Sequence, residues 1–325
     1  MIRPGYHSAV IHLRLIVPTD VAPSVLKLLK DAPEVTNVWH MSGAASKPQG
    51  DVVSCDVAKE EATSILRELR ELGLEKSGSI AMESVDASIS DVARDAERAA
   101  PGLAVDAVVW EEVESRVSES AEISVSFLVF ITIATMIGAI GIITNSVFLV
   151  IGGMVVGPEY GPLAGICVAL IERRPRLALK SLQALLVGFP LAIAAAAILT
   201  MALKATGIAP DELSQASDRA LLIFISDPNW YSVIVAVLAG IVGMLALASA
   251  KSGALIGVLI SVTTITAAAN VGVAAAYGSW DEAAGAAAQL AINVAAIIGS
   301  GLAVLWVEGL ARRHRRERRA LNSTD

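Results

Sequence analysis

One apolar run in this chain is broken at its centre, and the break limits what the chain can fold into. Residues Ser146–Ile171 are apolar at both ends and are interrupted by Gly157-Pro158-Glu159-Tyr160-Gly161-Pro162. A bilayer core of about 30 Å needs roughly 20 apolar residues as helix, so the run is long enough to cross. Its prolines break the helix, and a charge at mid-membrane costs at least about 2.5–3.5 kcal/mol. We therefore predict that the break faces the interior of a helix bundle.

Composition divides the chain into an acidic part and a membrane part. The chain has 325 residues, 54% of them hydrophobic, and its mean hydropathy of +0.63 indicates several membrane helices. Acidic residues outnumber basic ones before residue 120, which argues against nucleic acid as a partner. We predict a cytoplasmic domain at 1–86, a helical connector at 87–120, a transmembrane domain at 121–310 and a basic cytoplasmic tail at 311–325.

The first 86 residues predict a small α+β domain. Alternating apolar and polar side chains indicate strands, and apolar residues at helical spacing indicate helices. The predicted strands are Ala9–Val17, Val35–Met41, Asp51–Val57 and Ser79–Val85, and the predicted helices are Val21–Lys30 and Glu60–Leu72. We expect Asp20 to cap the first helix and Gly43–Gly50 to form a loop. The order β-α-β-β-α-β is that of ferredoxin-like folds.

Six apolar segments are long enough to be membrane helices. They are Ile123–Ile143, Ser146–Ile171, Leu177–Leu203, Trp230–Ser249, Gly253–Tyr277 and Ala283–Leu310. Basic residues follow the second, fourth and sixth segments, at Arg173–Lys180, Lys251 and Arg312–Arg319. Because basic loops lie on the cytoplasmic side, we expect both termini in the cytoplasm, at a bacterial inner membrane. The Gly- and Ala-rich helices permit close packing, and we expect a homo-oligomer in the lipid bilayer.

The six segments also divide into two halves of three. Gly157–Ala169 of the second segment aligns with Thr264–Ala276 of the fifth, which pairs Glu159 with Thr266. Three spans per half give the halves opposite orientations. Such inverted repeats are typical of secondary transporters, whose sites form at interrupted helices near the midplane. The alternative is that two Gly- and Ala-rich helices align through composition alone.

The break and its flanks resemble a known family. The likeness lies in Asn145-Ser146, IGGMVVGPEYGPLAG (Ile151–Gly165), RLALKSL (Arg176–Leu182), Ala239–Val258 and Asn293. These stretches are similar to bacterial membrane proteins grouped as domain of unknown function 389. The resemblance covers about residues 120–310 and implies a membrane fold, but the family brings no settled activity. Where the family usually has a Pro-Pro pair in the fifth span, this chain has Thr264-Ile265-Thr266.

Glu159 is the ionisable residue deepest in an apolar run, and it is a candidate for binding a proton or a cation. The alternatives are a neutral or hydrogen-bonded side chain that fixes the helix break, and a carboxylate that reaches water through an open vestibule. Uncharged polar residues in the spans, Gln289 included, either line a pathway or bond neighbouring helices and their own backbone. The candidate substrate- or ion-binding residues are Glu159, Gly157, Pro158, Tyr160, Gly161, Pro162, Asn145, Thr264, Thr266, Asn270 and Asn293.

These features predict a membrane transporter or channel for a small solute or ion, gated or sensed by the cytoplasmic domain. The alternative is a non-transporting oligomeric scaffold or sensor whose soluble domain binds a small ligand or a partner. We expect no enzyme, because no nucleophile–base pair or metal cluster is recognisable. We also expect no cofactor and no metal, since His7, His12 and His40 are scattered and metal ligands cluster.

Overall fold

The alternating segments near the start of the chain and the apolar segments after residue 120 fold into separate units. A computed structural model describes residues 10–85, 90–100, 109–210, 230–248 and 254–322. The chain divides into residues 1–113 and residues 114–325. The first unit holds the strands, and the second holds the long apolar helices.

Between residues 10 and 85, the first unit has four strands and three helices. The strands are β1 (Val10–Val17), β2 (Val35–Ser46), β3 (Gln49–Ala58) and β4 (Ser79–Ser84), and the helices are α1 (Ala22–Asp31), α2 (Ala62–Glu71) and the single turn α3 (Leu74–Ser77). The strands form one antiparallel sheet in the order β2-β3-β1-β4. Alternate residues of β1 and β3, such as Leu13 and Val53, are fully buried in a core shared with α1 and α2.

The prediction that Gly43–Gly50 form a loop is wrong. Strands β2 and β3 continue as a hairpin in which Ala45 pairs with Gly50 and Ser46 with Gln49. Gly43 has a positive φ of 63° where the register of β2 shifts. The hairpin ladder pairs backbone groups that a loop of this length would leave to water.

Asp20 does not cap α1 as predicted. The N-cap is Val21, and it makes no side-chain hydrogen bond to the helix. Instead, the carbonyl of Pro18 accepts hydrogen bonds from the backbone N–H groups of Val21 and Ala22. A backbone turn therefore satisfies donors that we expected the aspartate to satisfy.

Two helices lie in the predicted connector. They are α4 (Asp91–Ala99) and α5 (Trp110–Ser120). Ser90 caps α4 by accepting a hydrogen bond from Ala93 N at 3.2 Å. Residues 101–108 lie outside the described part of the chain, as do His7 and Lys251.

Seven helices follow α5 in the described residues of the second unit. They are α6 (Val125–Ile143), α7 (Val147–Val156), α8 (Tyr160–Ile171), α9 (Pro175–Ala205), α10 (Trp230–Ala248), α11 (Ala254–Tyr277) and α12 (Trp280–Asn322). Among the described residues, α6, α9, α10 and α12 up to Gly309 are each long and apolar enough to cross a membrane. Helices α7 and α8 meet at an angle of 48° and make a fifth span if they cross together. The protein is therefore a membrane protein, and its sixth span, at α11, stays a prediction.

The last helix is longer than the sequence predicted. Helix α12 begins at Trp280, before the expected start at Ala283, and continues to Asn322. The predicted tail at 311–325 therefore continues the helix over most of its length. Arginine, alanine and leucine favour helix, and no proline or glycine interrupts residues 310–322.

The two prolines of the broken run end one helix and begin the next. Gly157 has an extended backbone, with φ −62° and ψ 126°, as expected for a residue that precedes a proline. Pro162 lies in the first turn of α8, where its missing N–H costs no bond within the helix. The sequence thus separates α7 from α8 without breaking α8 itself.

Candidate functional site

Glu159 lies among the helices of the second unit. It is the N-cap residue of α8, midway between Val147 and Ile171, and it is 0% exposed. Residues 161–169 of α8 are all buried. Neighbouring helices therefore surround the break, and the prediction that it faces the bundle interior is confirmed.

A hydrogen bond joins Glu159 to the middle of another helix. Thr264 Oγ1 donates to Glu159 Oε1 at 2.8 Å, and Thr264 is fully buried near the midpoint of α11. The Glu159 side chain makes no cap hydrogen bond to α8. The bond to Thr264 therefore directs the carboxylate to α11, while the N-terminus of α8 favours negative charge nearby.

The residue beside Glu159 ties the break to a third helix. Tyr160 Oη donates to the backbone carbonyl of Gly243 in α10 at 2.8 Å. A buried tyrosine hydroxyl needs such a partner. Because neighbouring residues at the break bond to α10 and to α11, the start of α8 is held from two directions.

A second set of buried polar groups joins α10, α11 and α12. Asn293 Nδ2 donates to the Thr263 carbonyl at 2.9 Å, and Gln289 Nε2 donates to Asn293 Oδ1 at 3.0 Å. Gln289 Nε2 also contacts Ser232 Oγ. Gln289 Oε1 is buried and has no hydrogen-bond partner among the described residues. The set meets the Glu159 pair at α11, where Thr263 precedes Thr264.

Polar residues of α11 also continue toward the end of that helix. Thr263, Thr266 and Asn270 are all buried, and their spacing puts them on one face of the helix. Asn270 Nδ2 donates to Glu282 Oε1 at 3.3 Å. Glu282 lies in the first turn of α12 and is half-buried. A polar stripe thus runs from the middle of α11 to a carboxylate near its end.

Comparison with known proteins finds a family that resembles the part of the chain holding this site. Residues 154–299 match the family model described as Domain of unknown function (DUF389). The matched residues include the helix break, Thr264 and Asn293, so the resemblance predicted from the sequence is confirmed.

One relative of the chain is an archaeal protein. An uncharacterised protein of Methanocaldococcus jannaschii is 26% identical over 204 residues, which are 63% of this chain and 61% of the relative. The chain thus matches less than two thirds of that relative's length. This relative is archaeal, whereas the resemblance was drawn to bacterial membrane proteins. No solved structure matches the chain.

The second unit brings most of the predicted site residues to the break or to the polar groups of α11 and α12. Gly157 and Pro158 are half-buried at the break, and Gly161 and Pro162 are buried in α8. Asn145 is different: it is exposed in the turn before α7, with a φ of 51°. Ten residues of α7, about 15 Å of helix, separate that turn from the break. Asn145 therefore shapes the turn and does not join Glu159.

Sequence reasoning left three residues of the candidate site out of the predicted binding residues. Gln289 was named among the polar residues of the spans but not as a binding residue, and Ser232 and Glu282 were not named. Gln289 and Asn293 are four residues apart and share a helix face, which was a usable signal. No pattern in the sequence pointed to Ser232 or Glu282, because their partners lie on other helices.

The first unit has its own polar groups, outside the DUF389 match. Asp51 is 2% exposed, and its carboxylate accepts hydrogen bonds from Gly43 N at 2.9 Å and His40 Nε2 at 2.7 Å. Thr19 Oγ1 also donates to it, at 3.3 Å. The pKa of Asp51 is lowered from 3.8, chiefly by the Gly43 N–H and then by His40. This carboxylate fastens the β2–β3 hairpin.

A serine, a histidine and an aspartate also meet on the sheet. His12 Nδ1 lies 2.7 Å from Asp56 Oδ1, and His12 Nε2 lies 2.8 Å from Ser54 Oγ. Ser54 is 0% exposed, and its hydroxyl donates to the Leu13 carbonyl at 3.0 Å. The hydroxyl is therefore committed to the sheet and is not placed to attack a substrate. Among the described residues, no three His, Cys, Asp or Glu side chains form a group able to hold a metal.

Proposed function

We propose that this protein moves a small solute or ion across the membrane and that Glu159 binds a proton or a cation during the cycle. The observation that carries the proposal is a fully buried carboxylate at a helix break, bonded to the middle of α11. A charge at mid-membrane is costly, and ionisable residues that persist there commonly mark ion pathways. Interrupted helices are the usual place for such sites in transporters.

The packing of the helices supports an inverted repeat. Helix α6 packs on α9 in the first half, as α10 packs on α12 in the second. Between the halves, α8 packs on α12 and α11 packs on α9, while α6 meets α11 and α10 meets α8. Each contact therefore has a counterpart when the halves are exchanged, which an inverted repeat requires.

Contacts at the helix ends support six spans. Tyr277 Oη donates to the Pro210 carbonyl at 2.7 Å, which brings the end of α11 next to the end of α9. Ser232, near the start of α10, contacts Gln289, near the start of α12. Helix α11 therefore runs back between α10 and α12. With the basic segments in the cytoplasm, both termini are cytoplasmic, and a ferredoxin-like first unit gates a homo-oligomer.

The test uses the purified chain on a solid-supported membrane. Jumps in pH, Na⁺, K⁺, amino acids, sugars and carboxylic acids are applied, and charge movement is recorded. We expect Glu159→Gln to abolish a current that wild type shows. Glu172→Gln makes the same change at the exposed C-cap of α8 and should leave the current intact. An unaltered current in the Glu159 variant refutes its role.

The second candidate is a non-transporting scaffold or sensor. It is favoured by the closed packing at the break, where Glu159 is 0% exposed and residues 161–169 are all buried. The transport proposal treats this arrangement as one closed state of a cycle. A wild-type chain that gives no current with any of the jumps supports the scaffold.

A further inference from the structure

We propose that Glu159 exchanges a proton with one side of the membrane only, the side where α11 ends and α12 begins, and that Glu282 receives the proton there. This inference rests on the proposed function and identifies the ion that the site binds. It depends on three features: the bond to Glu159, the polar stripe of α11 and the bond to Glu282.

The first feature fixes the inner end of the route. Thr264 Oγ1 donates a hydrogen bond to Glu159 Oε1 at 2.8 Å. A hydroxyl can donate a hydrogen bond to a carboxylate and can accept one from a carboxylic acid, so it suits both protonation states of Glu159. The Glu159 carboxylate and the Thr264 hydroxyl are therefore placed to exchange a proton.

The second feature is the path away from Glu159. Thr263, Thr266 and Asn270 share one face of α11 and are buried. From Thr264 to Asn270 the helix advances about 9 Å. The stripe thus reaches from the centre of the bundle toward the end of α11, next to the end of α9.

The third feature is a carboxylate at the outer end. Asn270 Nδ2 donates a hydrogen bond to Glu282 Oε1 at 3.3 Å, and the Glu282 side chain is half-buried. Glu282 takes a proton from water and passes a proton to water or to a threonine hydroxyl of the stripe, where each oxygen that accepts one proton releases another. The last proton converts the Glu159 carboxylate to a carboxylic acid, and Glu282 is protonated again from the same side. The net transfer is one proton, and the Asn270 amide, which donates its N–H to Glu282, positions that carboxylate and carries no proton.

The other ionisable groups on the helices packed against α8 lie toward the helix ends. The charged groups are Arg176, Lys180 and Lys204 on α9 and Asp281, Glu282, Glu308 and the Arg, His and Glu residues at 312–319 on α12. The neutral titratable groups are Tyr231 on α10, Tyr277 on α11, and Tyr160 and Cys167 on α8 itself. Of these groups, Glu282 is the one that the polar stripe of α11 reaches by a hydrogen bond.

Carbodiimide labelling tests the route in the full chain without any transported solute. Dicyclohexylcarbodiimide modifies protonated carboxyl groups in apolar surroundings, and mass spectrometry measures the modification of Glu159. The chain is reconstituted in liposomes, its orientation is measured by proteolysis of the arginine-rich C-terminal segment, and the pH is changed on one side. We expect labelling to follow the pH on the side of the α11–α12 turn.

Substitution of the outer acid then separates the route from general effects. Glu282→Gln should slow the response of Glu159 labelling about 100-fold, at the lower end of what a positioned acid–base group contributes. Glu282→Asp should retain most of the rate, which shows that the fold is intact. Asp281→Asn changes the exposed neighbouring carboxylate and should have no effect.

Three results would overturn the proposal: labelling that follows the pH of the opposite side, a Glu282→Gln rate equal to wild type, or protection of Glu159 by Na⁺ at constant pH. These outcomes are separable from failure of transport. A lost current in Glu159→Gln with normal labelling in Glu282→Gln removes the route and leaves transport standing. If Glu159 labelling depends on Glu282 but the wild-type chain moves no charge, the proton route stands and the transport proposal fails.

Discussion

Two buried carboxylates in this protein have different surroundings. Thr264 gives Glu159 a neutral hydroxyl as a donor. Asp51 accepts from a backbone N–H and from a histidine ring, which lower its pKa. Because the pKa of Asp51 is lower in the folded chain than its ordinary value of 3.8, its charged form stabilises the fold. That stabilisation is present above the ordinary pKa and is lost as the pH falls through the lowered value.

We expect Asp51→Asn to destabilise the first unit at neutral pH, since the amide loses the charge-assisted bonds to Gly43 and His40. The difference from wild type should shrink below pH 3.8, where wild type also becomes protonated. The loss of stability is measured as the urea midpoint for unfolding of residues 10–85 in the full chain. Limited proteolysis with mass spectrometry detects that unfolding. Asp20→Asn, at an exposed carboxylate that caps nothing, is the control. An Asp51→Asn deficit that persists at low pH contradicts the account.

The helices of the second unit depend on glycine where they approach one another. A Cβ atom at Gly272 in α11 would lie 2.8 Å from the Ile193 carbonyl oxygen and 2.9 Å from the Ala196 Cβ of α9. At Gly299 in α12, a Cβ atom would meet nothing within 4 Å. The first glycine is required for packing, whereas the second only weakens its helix.

We expect Gly272→Ala to lower stability by about 1–3 kcal/mol, the usual cost of overpacking. Gly299→Ala should leave stability unchanged or raise it by up to about 1 kcal/mol, because alanine favours helix. Thermal unfolding of the full chain in detergent compares the two variants. Equal melting temperatures for the two variants would show that α11 does not pack closely on α9.

The elements were easier to predict than their partners. Local chemistry placed the break, because Pro158 and Pro162 act on their own backbone. Local chemistry did not predict the hydrogen bond between Thr264 and Glu159. That bond joins residues 105 positions apart and depends on how the helices pack. The repeat alignment pairs Glu159 with Thr266, whereas the structure bonds it to Thr264. Asn145 was included because it is polar, but its exposed turn separates it from the break.

At the scale of the whole molecule, the number of crossings decides whether the two halves are inverted. Six spans require α11 to cross between α10 and α12, as the contact of Ser232 with Gln289 favours. Five spans, without α11, would leave the start of α12 on the other side of the membrane. The side on which that start lies therefore distinguishes the two topologies.

Cysteine labelling of intact cells and inverted vesicles measures the side of the membrane on which the start of α12 lies. Cys55 and Cys167 are fully buried and are replaced by alanine; single cysteines are then introduced at three exposed positions, Glu172, Ile208 and Asp281. We expect a membrane-impermeant maleimide to label Ile208→Cys and Asp281→Cys from the outside of intact cells. Glu172→Cys should be labelled only in inverted vesicles, because α9 crosses the membrane between Glu172 and Ile208. Asp281 lies on the same side as Ile208 because α10 and α11 each cross the membrane once. If Asp281→Cys is instead labelled together with Glu172→Cys, α11 does not cross, the inverted repeat fails, and the polar stripe has no second membrane face to reach.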